Sequence, residues 1–88
     1  MADIIYVFRS RNETMAFADV LKRSGIRNTV VNTPRECMSG CGISVKITMQ
    51  DMGRVNGIFG AFPYKSTFQG RFSFEKIGIK TKVVKIGN

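Results

Sequence analysis

Ile43-Ser44-Val45-Lys46-Ile47-Thr48-Met49 decides the fold class, because its apolar and polar residues alternate without a break. Ile43, Val45, Ile47 and Met49 fall on one face and Ser44, Lys46 and Thr48 on the other, the period of a strand with one buried face. Upstream, Thr29-Val30-Val31-Asn32 reads as a second strand, stopped by Pro34, which has no N–H to give to a ladder. Further upstream, Ile4-Ile5-Tyr6-Val7-Phe8 is a continuous apolar run, which fits a central strand covered on both faces. A helix lies between these two. Ser10 with Glu13 makes a capping box, Phe17, Val20 and Leu21 share a face, Lys22 and Arg23 suit the negative end of the helix dipole, and Gly25 supplies a left-handed cap.

Downstream of Met49, a helix over Gln50 to Phe62 can turn Met52, Val55, Ile58 and Phe59 inward, although Gly53, Gly57 and Gly60 each cost roughly 1 kcal/mol relative to alanine. Beyond Pro63, Phe72 and Phe74 alternate with Arg71, Ser73 and Glu75, and Lys82 to Ile86 is a β-branched run, so one or two further strands are expected. The order is β-α-β-β-α-β with room for an extra C-terminal strand. It predicts an α+β domain of ferredoxin-like order, with an antiparallel or mixed sheet and both helices on one face.

The 88 residues suffice for one domain spanning 1–88, and a hydrophobic content of 43% spread along the chain fits a folded protein. No apolar run approaches the roughly 18 residues of a membrane span, and Met1-Ala2-Asp3 lacks the start of a signal peptide. A cytoplasmic protein with no membrane association is expected, its cysteines held mainly as thiols. The net charge of +8 is uneven: residues 1–44 carry six basic and four acidic side chains, residues 45–88 eight basic and two acidic. Lys46, Arg54, Lys65, Arg71, Lys76, Lys80, Lys82 and Lys85 either steer an acidic protein or phosphate backbone to one surface or form a solvated face.

Both cysteines lie in Thr33-Pro34-Arg35-Glu36-Cys37-Met38-Ser39-Gly40-Cys41-Gly42, between two strands. The chain has no histidine, so nucleophilic chemistry falls most plausibly to a thiol. A thiol with pKa near 8.5 is only slightly ionised at neutral pH and needs help. Arg35 and Lys46 could supply positive charge, and Gly40 and Gly42 let backbone amides turn toward the sulfur, while Glu36 would oppose this. Cys37 and Cys41 are close enough in sequence to form a disulfide if the loop makes one helical turn; alternatively both thiols are small packed residues under the loop. Two cysteines and no histidine fall short of the four ligands of a structural zinc site, so no metal and no cofactor is expected.

Thr33-Pro34-Arg35-Glu36, followed by Ser39, Cys41-Gly42-Ile43 and Lys46, resembles the motif of the selenium/sulfur (Se/S) carrier protein-like family. The strand and helix from Ile4 to Ile26 also match that family's opening, and the resemblance covers residues 3–49. It places the family's characteristic cysteine on Cys41 and its glycine on Gly42. Cys37 is an addition to the pattern. After Met49 the chain departs, with a glycine-rich helix and a divergent basic tail over 62–88.

The resemblance implies a carrier, not an enzyme: Cys41 accepts sulfane sulfur or selenium from a donor such as a cysteine desulfurase, holds it as a persulfide or selenosulfide, and passes it to an acceptor protein. Cys37 would act as the resolving thiol. One rival is a small RNA-binding domain, suggested by size, charge and the Ile5-Tyr6-Val7-Phe8 strand. Against it, Phe72 and Phe74 sit on a late strand, and the Ile43–Met49 strand offers no aromatic, so nucleic acid is the less favoured partner. A third reading is a regulatory subunit whose loop thiols sense oxidation without loading sulfur.

Overall fold

Strand β1 (Asp3–Phe8) occupies the middle of the sheet, as its unbroken apolar run requires, and Ile4 through Phe8 are fully buried. The computed structural model describes residues 3–37 and 42–87. On one side β1 pairs with β3 (Ile43–Thr48), which pairs in turn with β2 (Thr29–Asn32); on the other it pairs with β4 (Phe68–Ile77), which pairs with β5 (Lys80–Gly87). All neighbours are antiparallel, in the order β2-β3-β1-β4-β5. Because β3 runs against both β1 and β2, those two are parallel, and helix α1 (Arg11–Arg23) carries the chain between them. By the same logic β4 is parallel to β3, reached through helix α2 (Met52–Ala61). The protein is thus a small α+β unit in which two crossovers interleave.

Both helices pack on one face. Phe17, Ala18 and Leu21 of α1 and Val55 and Phe59 of α2 meet Ile4, Tyr6, Phe8, Val45 and Ile47, and Val20, Met52 and Ile58 flank them. Phe59 is the hub: its ring lies 4.5 Å from Phe68, 5.6 Å from Phe17 and 5.7 Å from Tyr6, in the tilted and edge-on geometries that ring quadrupoles favour. The guanidinium of Arg71 lies over the rings of Tyr6, Phe59 and Phe68, so this cation belongs to the helical face of the fold. The opposite face is helix-free. There Ile5, Val7 and Cys37 form a second cluster, with Val31, Phe72, Phe74 and Val83 packed against it. This double cover explains why every residue of β1 from Ile4 onward could be apolar.

The caps of α1 follow the sequence in part. Ser10 Oγ accepts the Glu13 N–H at 3.2 Å, and Gly25 at φ +78° lets its own N–H reach Lys22 and that of Ile26 reach Leu21, closing the C-terminus. The other half of the expected capping box is absent. Glu13 accepts instead from Ser66 Oγ (2.7 Å), Thr67 Oγ1 (2.6 Å) and Thr67 N (3.0 Å), while the Ser10 N–H donates to Thr67 Oγ1. Tertiary donors outcompete the local one, and the carboxylate ties the approach to β4 onto the start of α1. Burial pushes the Glu13 carboxyl up, but these hydrogen bonds outweigh it and hold the group below its ordinary value.

Two boundaries also differ. The strand expected to reach Met49 ends at Thr48, which pairs with Asp3 at the start of β1, and Met49 is 48% exposed in a single 3-10 turn over Met49–Asp51. The helix expected from Gln50 starts after that turn, at Met52, and Phe62 caps it in extended conformation. Among the described residues no helix is long and apolar enough to cross a membrane.

Candidate functional site

The loop between β2 and β3 is fastened where it leaves and rejoins the sheet. The Thr33 N–H donates to the Gly42 carbonyl at 2.8 Å, and the hydroxyls of Thr33 and fully buried Ser44 hydrogen-bond at 2.5 Å. Gly42 itself is exposed at φ +76°, a conformation that favours glycine. Cys41 and Gly40 lie outside the described residues.

The first half of the loop folds back onto the sheet. Pro34 starts a 3-10 turn, Arg35–Cys37, whose last N–H donates to the Pro34 carbonyl at 2.9 Å. This brings Cys37 down against Ile5 and Val7, where it is only 9% exposed. Arg35, two residues earlier, is exposed.

Lys46 is placed differently. It stands opposite Ile5, two positions beyond Ser44, and its ammonium lies 3.8 Å from the Asp3 carboxylate. That carboxylate belongs to the end of the sheet away from the loop. A groove of about 720 Å³ opens there between α1 and β3, lined by Asp3, Met15, Lys22, Arg27 and Lys46 among others and by none of residues 33–42. Among the described residues, then, Arg35, Cys37 and Gly42 share the loop, and Lys46 does not join them.

Two cations that sequence reading did not connect with the loop stand at its end of the sheet. Val7 pairs with Ser44 near the start of β3, so Arg9, just past the end of β1, stands at the loop's end of the sheet, and Arg11 opens α1 just beyond. Separated from the loop by more than twenty residues, they were identifiable only from the antiparallel pairing of β1 with β3. Of the basic surplus in the second half, Lys65 donates to the carbonyls of Phe59 (3.0 Å) and Gly60 (3.1 Å), capping α2, and Arg54 is 3.8 Å from Asp51. Lys76, Lys80, Lys82 and Lys85, by contrast, all lie on β4 and β5, with no ion pair among the described residues. No group of three or more metal-ligating side chains occurs among the described residues.

A family model described as "Putative Se/S carrier protein-like" matches residues 3–65, from the start of β1 through α2 to the segment before β4. No curated protein matches the chain, and no solved structure does.

Proposed function

The chain belongs to the Se/S carrier protein-like family, and from that premise we propose that it is a thiol carrier holding sulfane sulfur or selenium on Cys41. The burial of Cys37 supports this choice between the two thiols. A carrier sulfur must reach a donor and then an acceptor, whereas Cys37 packs on Ile5 and Val7. In the sequence Cys41 directly precedes Gly42, whose carbonyl is tied to Thr33.

In loading, the Cys41 thiolate attacks the outer sulfur of a donor persulfide, as a cysteine desulfurase would present it. A new S–S bond forms on Cys41, the donor's S–S bond breaks, and the donor leaves as a thiolate. Positive charge from Arg35 in the loop, with Arg9 and Arg11 at the same end of the sheet, would favour a thiolate on the loop electrostatically; Lys46 contributes less because Asp3 engages it. In unloading, an acceptor thiolate attacks the outer sulfur and Cys41 leaves as thiolate. The alternative route uses Cys37 as resolving thiol: it attacks Cys41 Sγ, the outer sulfur departs as hydrosulfide, and a dithiol reductant must then open the disulfide. That route requires the turn at 35–37 to lift Cys37 off Ile5 and Val7.

The fold suits such a carrier, and we read its sheet as a ferredoxin-like arrangement with β5 added outside β4. Mass spectrometry tests the assignment: incubation with a cysteine desulfurase and cysteine adds one sulfur atom to the wild type. An unchanged yield in Cys41→Ser sinks it.

A further inference from the structure

We propose that the helix-free face of the sheet binds single-stranded nucleic acid, with Phe72 and Phe74 as stacking surfaces and Lys76 and Lys85 as phosphate contacts. The strand register assembles this face. Lys46, Ile5, Phe72 and Lys85 form one row across β3, β1, β4 and β5, and Thr48, Asp3, Phe74 and Val83 form the next. Lys76, opposite Thr81, follows Phe74 on the same face. Both helices lie on the other side.

Phe72 and Phe74 rest on the Ile5–Val7 cluster yet remain partly exposed. They are two positions apart on one strand, so their Cα atoms are spaced by roughly 6.8 Å, a distance an extended strand of nucleotides can span between successive bases. Lys85 faces Phe72 and Lys76 adjoins Phe74, and neither has an ion pair among the described residues. Among the described residues of the paired strands, Asp3 is the carboxylate on this face, and Lys46 at 3.8 Å offsets its charge. Lysines alone would suit any polyanion. The paired rings select bases, because stacking on an aromatic plane is a property of nucleobases that an acidic polypeptide lacks. Neither ring lies on the strand that carries the second aromatic motif of an RNA-recognition motif, so the arrangement is a platform on β4 beside the central strand.

The site lies outside the part of the chain matched by the family model, and it uses no cysteine. Its success or failure is therefore independent of the carrier chemistry.

Fluorescence anisotropy of an end-labelled 12-nucleotide single-stranded RNA of mixed sequence, titrated with the full chain, tests the proposal. Saturable binding is expected, weakening as salt rises. Phe72→Leu and Phe74→Leu, which keep an apolar cover over Ile5 and Val7, should each weaken it at least about fivefold. Lys76→Gln and Lys85→Gln, at exposed strand positions, should each lower the slope of log affinity against log salt by about 0.7. Should the leucine variants fail to fold, as circular dichroism would reveal, the lysine slopes decide. Cys41→Ser should bind like the wild type. The proposal is overturned if the folded leucine variants bind as tightly as the wild type or if the lysine variants leave the slope unchanged. It is equally overturned if polyglutamate competes as well as unlabelled RNA, which would assign the face to an acidic protein.

Discussion

Replacing Gly42 by alanine and Gly57 by alanine should move stability in opposite directions, although neither new methyl group meets an atom of the described residues within 4 Å. Sterics with neighbours therefore cancel, and the backbone decides. Gly42 sits at φ +76°, where a side chain costs about 1–2 kcal/mol, partly offset by about 0.4–1 kcal/mol from the stiffer unfolded chain. Gly57 is exposed in the middle of α2, where alanine is better than glycine by about 1 kcal/mol. Gly42→Ala should lose about 1 kcal/mol and Gly57→Ala gain about the same, a separation of about 2 kcal/mol. In a domain of this size each shift corresponds to about 4–8 °C in Tm. Urea titration with circular dichroism measures both, and Gly42→Asn, whose side chain tolerates the left-handed region, should recover much of the loss. On the carrier reading, sulfur loading should slow in Gly42→Ala and stay unchanged in Gly57→Ala. The reasoning is refuted if Gly42→Ala melts at or above the wild type.

Three further outcomes follow from the packing. Glu13→Gln should cost about 1–2 kcal/mol at neutral pH, because the carboxylate accepts three hydrogen bonds from Ser66 and Thr67. Its folded pKa is depressed, so this stabilisation is complete above the unfolded value and is lost as pH falls through the folded one; in acid titrations the gap between the two proteins should begin to narrow below about pH 4.3 and close only beneath the lower folded value. Phe59→Ala should cost about 3–5 kcal/mol, a large part of the stability of a small domain, and Phe59→Leu distinctly less, as denaturant midpoints would record. Iodoacetamide should modify Cys41 rapidly in the native protein and Cys37 only as the protein unfolds, with Cys37→Ala retaining the fast phase; equal rates for the two thiols would remove the basis for assigning the carrier role to Cys41.

Sequence periodicity located the elements because local patterns carry them: the alternation in β3, the apolar run of β1, and the Ser10 and Gly25 caps of α1 are each written within a few residues. It misplaced Met49 because a strand ends where its partner ends, and Thr48 is the residue that Asp3 meets. It likewise assigned Glu13 to a local cap that Ser66 and Thr67, more than fifty residues away, displaced.

The cysteine loop shows the same division. Its membership and its motif were legible in Thr33–Gly42, since the residues are contiguous. What the chain itself determined was therefore the inventory: where strands and helices lie, which loop holds the thiols, and how much positive charge there is. Tertiary structure decided how that inventory is used. It buried Cys37 against the sheet, gave Lys46 to Asp3, stacked Arg71 among rings, and left the lysines of β4 and β5 without an ion pair among the described residues. Those outcomes depend on registers between strands far apart in sequence, and pairing at that range is set by which faces can be buried together rather than by any short stretch of residues.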